Sequence, residues 1–134
     1  VQDANVYINT SNTLTDKMKE CSIVGIAGGS VQECITERIG MTSDCAECFA
    51  ENIECTKKHC DFICGYETIL DLEVANEEGH LSKCIKCDEY HCGKKFKACA
   101  GMTRRRAGLM SDIDRSLDEI CPYNIRKEMR DKGY

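Results

Sequence analysis

Between Asp44 and Cys64 the chain places five of its twelve cysteines in a run of good helix formers that contains neither Pro nor Gly. Such a run predicts a single helix, and cysteines that dense predict that it is cross-linked. Cys48 and Cys55 lie seven residues apart, two helical turns, and point within about 20° of each other. Cys92 and Cys99 share that spacing, so a pairing of Cys48 with Cys99 and Cys55 with Cys92 would staple two helices at two points. A break at Gly93, a natural helix stop, would put Cys92 and Cys99 on separate axes and weaken that pairing.

The rest of the composition explains why cross-links are needed. Leu, Ile, Val and Phe make up only about a fifth of the chain and Trp is absent, a thin supply for a core, yet the net charge of -5 is too small to favour disorder. Native bridges, each contributing about 2–5 kcal/mol, make up the shortfall. An even count allows six of them, using Cys21, Cys34, Cys45, Cys48, Cys55, Cys60, Cys64, Cys84, Cys87, Cys92, Cys99 and Cys121. That many bridged thiols point to an oxidising compartment, either secreted or lumenal. No apolar run is long enough to span a bilayer. The start at Val1, with no Met and no apolar leader, fits a mature form whose targeting segment has been removed.

Read in order, residues 1–13 are a polar arm, ordered only if something holds it, with a glycosylation acceptor pattern at Asn9-Thr10-Ser11. Residues 14–121 are a mainly α, disulfide-rich domain of five to six short helices. Leu14, Met18, Cys21 and Ile26 mark the first, stopped by Gly28-Gly29. Ser30 and Glu33 form a capping box for the second, whose buried face is Val31, Cys34, Ile35 and Ile39. The cross-linked helix comes after Met41-Thr-Ser-Asp44, with a break expected between Cys60 and Gly65. Residues 66–74 suit a helical turn or an extended strand, and residues 75–80 read as a loop. Ser82 opens a helix that Gly93 closes, a short helix runs from Lys94 to Ala100, and Ser111 opens one ending at Cys121. Residues 122–134 form a basic C-terminal arm. Acidic side chains dominate up to Gly93 and basic ones from Lys94 onward, which suits attraction between the two halves or a basic end docked on an acidic partner.

Several constellations could carry chemistry. Cys45-Ala-Glu-Cys48 and Cys84-Ile-Lys-Cys87 could surround zinc with four thiolates, but the other eight cysteines favour separate cross-links. A redox role would need a βαβ setting that the chain lacks. His59, His80 and His91 sit in no recognisable catalytic set and read as surface residues. A phospholipase-like His-Asp pair is ruled out because Cys60 separates His59 from Asp61. Arg104, Arg105 and Arg106, with Arg126, Lys127 and Arg130, could dock on an acidic protein surface. No aromatics interleave them and the chain is acidic overall, so nucleic acid is not the expected partner.

The run from Gly40 to Cys60, with Cys-Ile-Lys-Cys87, His-Cys92, Phe-Lys-Ala-Cys-Ala-Gly101 and Arg-Arg-Ala-Gly-Leu-Met-Ser-Asp-Ile113, resembles small cysteine-rich proteins of algae with complex plastids, dinoflagellates above all. The resemblance implies disulfide-rich helices and an exported or lumenal address, and it transfers no catalytic residue. It suggests an accessory or linker subunit on the lumenal side of a photosystem-antenna complex in the thylakoid lumen. The resulting expectation is a non-enzymatic interaction protein with no cofactor and no metal, docked peripherally on other proteins. The alternatives are a free secreted signalling, toxin-like or carrier protein, and a zinc protein built on the two Cys-x-x-Cys pairs.

Overall fold

The computed structural model describes residues 2–69 and 81–101. Among these residues there are six helices: α1 (Gln2–Asn9), α2 (Leu14–Ile26), α3 (Val31–Ile39), α4 (Ser43–Ile69), α5 (Lys83–His91) and α6 (Gly93–Ala100). The mainly α, disulfide-rich expectation holds. At 27 residues, α4 is about 40 Å long and serves as the axis against which the others pack.

Its N-terminal half is covered by an aliphatic cluster. Leu14 and Cys21 from α2, Val31, Cys34, Ile35 and Ile39 from α3, Met41 and Ala46 are buried together, with Val6, Tyr7, Phe49 and Ile53 packed around them. The α2–α3 hairpin is tied by the Cys21–Cys34 bridge. It closes tightly because Gly25 lacks a side chain, for a Cβ there would clash with Val31 Cγ2. Local chemistry sets the ends of α3: Ser30 Oγ accepts from the Glu33 amide, which is the hydroxyl half of the capping box, and Gly40 closes the helix at φ 86°.

The N-terminal arm meets the condition set for its order. Asp3 accepts from the Thr42 amide and from Thr42 Oγ1, both at 2.7 Å, which pins α1 to the start of α4. Val6 and Tyr7 of α1 then pack against the core.

Among the described residues the far half of α4 has no aliphatic counterpart. Its one buried apolar side chain among those residues is Cys60, and the facing segment adds only Leu81 and Cys92, so sulfur does the work of a core there. Four bridges join α4 to α5, to Cys92 and to α6: Cys48–Cys99, Cys55–Cys92, Cys60–Cys87 and Cys64–Cys84, with Cα separations of 5.6, 5.9, 6.0 and 4.6 Å. Each pair nests inside the one before it, as antiparallel packing of α5 on α4 requires. Cys48–Cys99 and Cys55–Cys92 form as their spacing suggested, even though the helix does stop at Cys92 and restart at Gly93.

Two expectations need correction. First, α4 runs unbroken through Cys60 and Gly65 to Ile69, because the Cys60–Cys87 and Cys64–Cys84 bridges clamp it where a break was expected. The cysteines of α4 are spread round its axis. At 100° per residue, Cys60 and Cys64 are about 120–160° round the axis from Cys48, so α5 crosses α4 diagonally. Second, Cys45 is free rather than bridged among the described residues, half-buried with its thiol 3.9 Å from Met41 Sδ. Cys121 lies outside the described residues.

Candidate functional site

The seam between α4 and α5 carries the polar and aromatic side chains that the bridges do not use. Cys48, Asn52, Cys55, His59, Phe62 and Tyr66 succeed one another by alternate steps of four and three, so all six fall within about 40° of one line along α4. The lower part of this line is covered by α6 and the end of α5 through the bridges of Cys48 and Cys55. Above Cys55 the diagonal course of α5 leaves the line uncovered. Phe62 is 90% exposed and Tyr66 62% exposed, and Tyr90 on α5 is 83% exposed.

Where α5 crosses, three polar groups meet. Asp88 Oδ1 accepts from Asn52 Nδ2 at 2.9 Å and also lies against Thr56 Oγ1. Burial pushes the Asp88 carboxyl above its ordinary range, partly offset by the hydrogen bonds from Thr56 and Asn52, while the neighbouring Glu89 charge adds to the rise. Thr56 Oγ1 is also 2.9 Å from the Asn52 carbonyl oxygen. The hydroxyl can therefore donate to an ionised Asp88, or accept from a protonated one while donating to Asn52. Asn52 Oδ1 is buried with no donor among the described residues, at the edge of a cleft lined by Cys48, Cys55, Cys92 and Phe96 that holds about one water. This cleft is too small for an organic substrate or cargo.

Just above the polar cluster, His59 and His91 stack face to face, with ring centroids 5.1 Å apart and planes inclined by 5°. Tyr90 meets the His91 ring edge-on at 4.9 Å. Both histidines are exposed, as their sequence context suggested, but their pairing was not foreseen. Each directly precedes a bridged cysteine, Cys60 or Cys92, so the backbone beneath each ring is fixed.

The two Cys-x-x-Cys motifs do not act as thiol pairs. Cys48, Cys84 and Cys87 each bridge to a residue outside the two Cys-x-x-Cys motifs, so the four thiols that zinc would need are not available together. Among the described residues no three or more His, Cys, Asp or Glu side chains converge as a metal site. Burial, reinforced by the Asp3 charge, pushes the Cys45 thiol up to about 11, the reverse of what a redox nucleophile needs. Asn9 is exposed at the end of α1. Arg104, Arg105, Arg106, Arg126, Lys127, Arg130 and His80 lie outside the described residues.

The alternation of fours and threes along α4 was the available signal for the Phe62–Tyr66 line. Asn52, Thr56 and Asp88 gave none, since their meeting depends on the crossing of α5. Among the described residues no helix is long and apolar enough to cross a membrane. No curated protein and no solved structure matches the chain. Residues 28–123, which contain the whole bridge ladder, match the model of the family of unknown function DUF8771, and the chain belongs to that family.

Proposed function

We propose that this is a non-enzymatic docking subunit of an oxidising compartment, which presents the upper line of α4 to a protein partner. Five bridges among the described residues support the compartment. The observation that carries the docking role is the exposure of Phe62 and Tyr66 on a helix fixed by four bridges. Large aromatics on a rigid support bind with little loss of side-chain freedom, and they recur as interface anchors. The basic side chains beyond residue 101 would supply a second, electrostatic contact to an acidic partner. The finer reading, an accessory subunit on the lumenal side of a photosystem-antenna complex, rests on the resemblance to proteins of algae with complex plastids.

The test is retention of the chain on its native complex. Phe62→Ser with Tyr66→Ser should abolish co-purification while leaving the melting temperature unchanged, because these rings bury little in the free chain. Replacing Arg104, Arg105 and Arg106 by Ala should weaken retention and its salt dependence. Undiminished retention of both variants would remove the docking role. Recovery of the native chain as a free monomer in the medium, glycosylated at Asn9, would favour the secreted alternative.

A further inference from the structure

We infer that His59 and His91 form a surface site for a borderline divalent ion of the zinc class. Imidazole is a preferred ligand of such ions, and here two imidazoles stand side by side on different helices, both open to solvent.

The spacing is what singles them out. A zinc ion lies about 2.0–2.1 Å from a ligating ring nitrogen, which puts it about 3.2 Å from the ring centroid. Two such rings at a tetrahedral angle then have centroids about 5.2 Å apart, and at a right angle about 4.5 Å. The observed 5.1 Å matches the tetrahedral arrangement. Two stacked, near-parallel planes cannot both contain one ion, so the rings must turn out of the stack. That turn is about the χ2 torsion of His, which is broad and inexpensive.

The backbone need not move. His59 is followed by Cys60, bridged to Cys87, and His91 by Cys92, bridged to Cys55. Both bridges cross the same seam, so they fix the separation of the two Cα positions and leave the rings as the freely turning parts. With no third convergent protein ligand among the described residues, the remaining coordination positions would be filled by water or by a partner's side chain. The affinity is accordingly that of a two-ligand site, not that of a structural zinc centre. This proposal does not depend on the docking role.

The test is a zinc chloride titration of the full, oxidised chain, read by calorimetry and by the ring proton signals of the histidines. One ion per chain is expected, with the His59 and His91 signals shifting together. His59→Ala and His91→Ala should each weaken binding at least about tenfold, and His80→Ala should not. Unchanged intact mass and helical content show that the variants retain their bridges; if either alanine variant does not, the signal shifts in the unmodified chain decide. Absence of binding up to about 1 mM zinc, binding that survives both substitutions, or shifts confined to His80 would overturn the proposal.

Discussion

Asp88 shows what one residue costs and contributes in a protein with so little apolar core. Its carboxyl is raised by burial, so the folded chain holds the proton where the unfolded chain, near the ordinary value of 3.8, has released it. With more protons bound in the folded state, stability falls as pH rises through the interval from 3.8 to the raised folded value, and the penalty persists above it. Asp88→Asn keeps an oxygen to accept from Asn52 and Thr56 while removing the charge. It should melt at or above the unsubstituted chain at pH 7, with the difference shrinking as pH falls towards 3.8. Asp88→Ala strands the Asn52 Nδ2 donor, while Thr56 Oγ1 keeps the Asn52 carbonyl as its acceptor, and should cost about 1–3 kcal/mol in thermal or denaturant unfolding. Cys45 invites a second measurement at this scale. With its thiol pushed up to about 11, its thiolate at pH 8 is about 100-fold scarcer than that of an ordinary cysteine. Iodoacetamide should therefore label Cys45 at least that much more slowly in the folded chain than in the denatured one. Equal rates would show that the thiol is neither buried nor held near Asp3.

At the scale of the element, α5 begins where α4 caps it. Ser82 Oγ accepts from the Ile85 amide, and the Glu67 carboxylate reaches across from α4 to accept from the Lys83 and Cys84 amides at 2.9 and 3.1 Å. An acid at a helix N-terminus also meets the favourable end of the helix dipole. Glu67→Ala should lower stability by about 1–2 kcal/mol and Glu67→Gln by less, as read by denaturant unfolding with the bridges intact. The Ser82 cap was legible because it is local, and so were the Ser30 cap and the buried face of α3. The Glu67 cap was not, since it depends on where α5 lands. The same division applies to the bridges. Two were legible from matched seven-residue spacings, whereas Cys60–Cys87 and Cys64–Cys84 required the diagonal crossing, which no periodicity within one helix encodes. Gly65 misled for a related reason: its helix-breaking tendency, about 1 kcal/mol, is small beside two flanking cross-links.

The whole molecule is supported in two ways along one axis. Around the first half of α4, Ile35, Met41, Ala46 and their neighbours form an ordinary small core. Around the second half, bridges substitute for side-chain burial, which frees Phe62, Tyr66 and Tyr90 to face solvent. Phe49 joins the halves, its ring 4.8 Å from Phe96 of α6 and 6.2 Å from Tyr7 of α1. The Lys95–Glu51 ion pair between α6 and α4 is exposed and adds little. Reduction should therefore act unevenly, releasing α5 and α6 before the aliphatic half unfolds. The rigidity of the exposed line depends on the nested order of the four bridges, and peptide mapping of the oxidised chain without reduction reads that order directly. Linked fragments should join Cys48 to Cys99, Cys55 to Cys92, Cys60 to Cys87 and Cys64 to Cys84. Fragments joining Cys60 to Cys64, or Cys84 to Cys87, would mean that α5 is not laddered onto α4 and that the exposed line of aromatics has no rigid support.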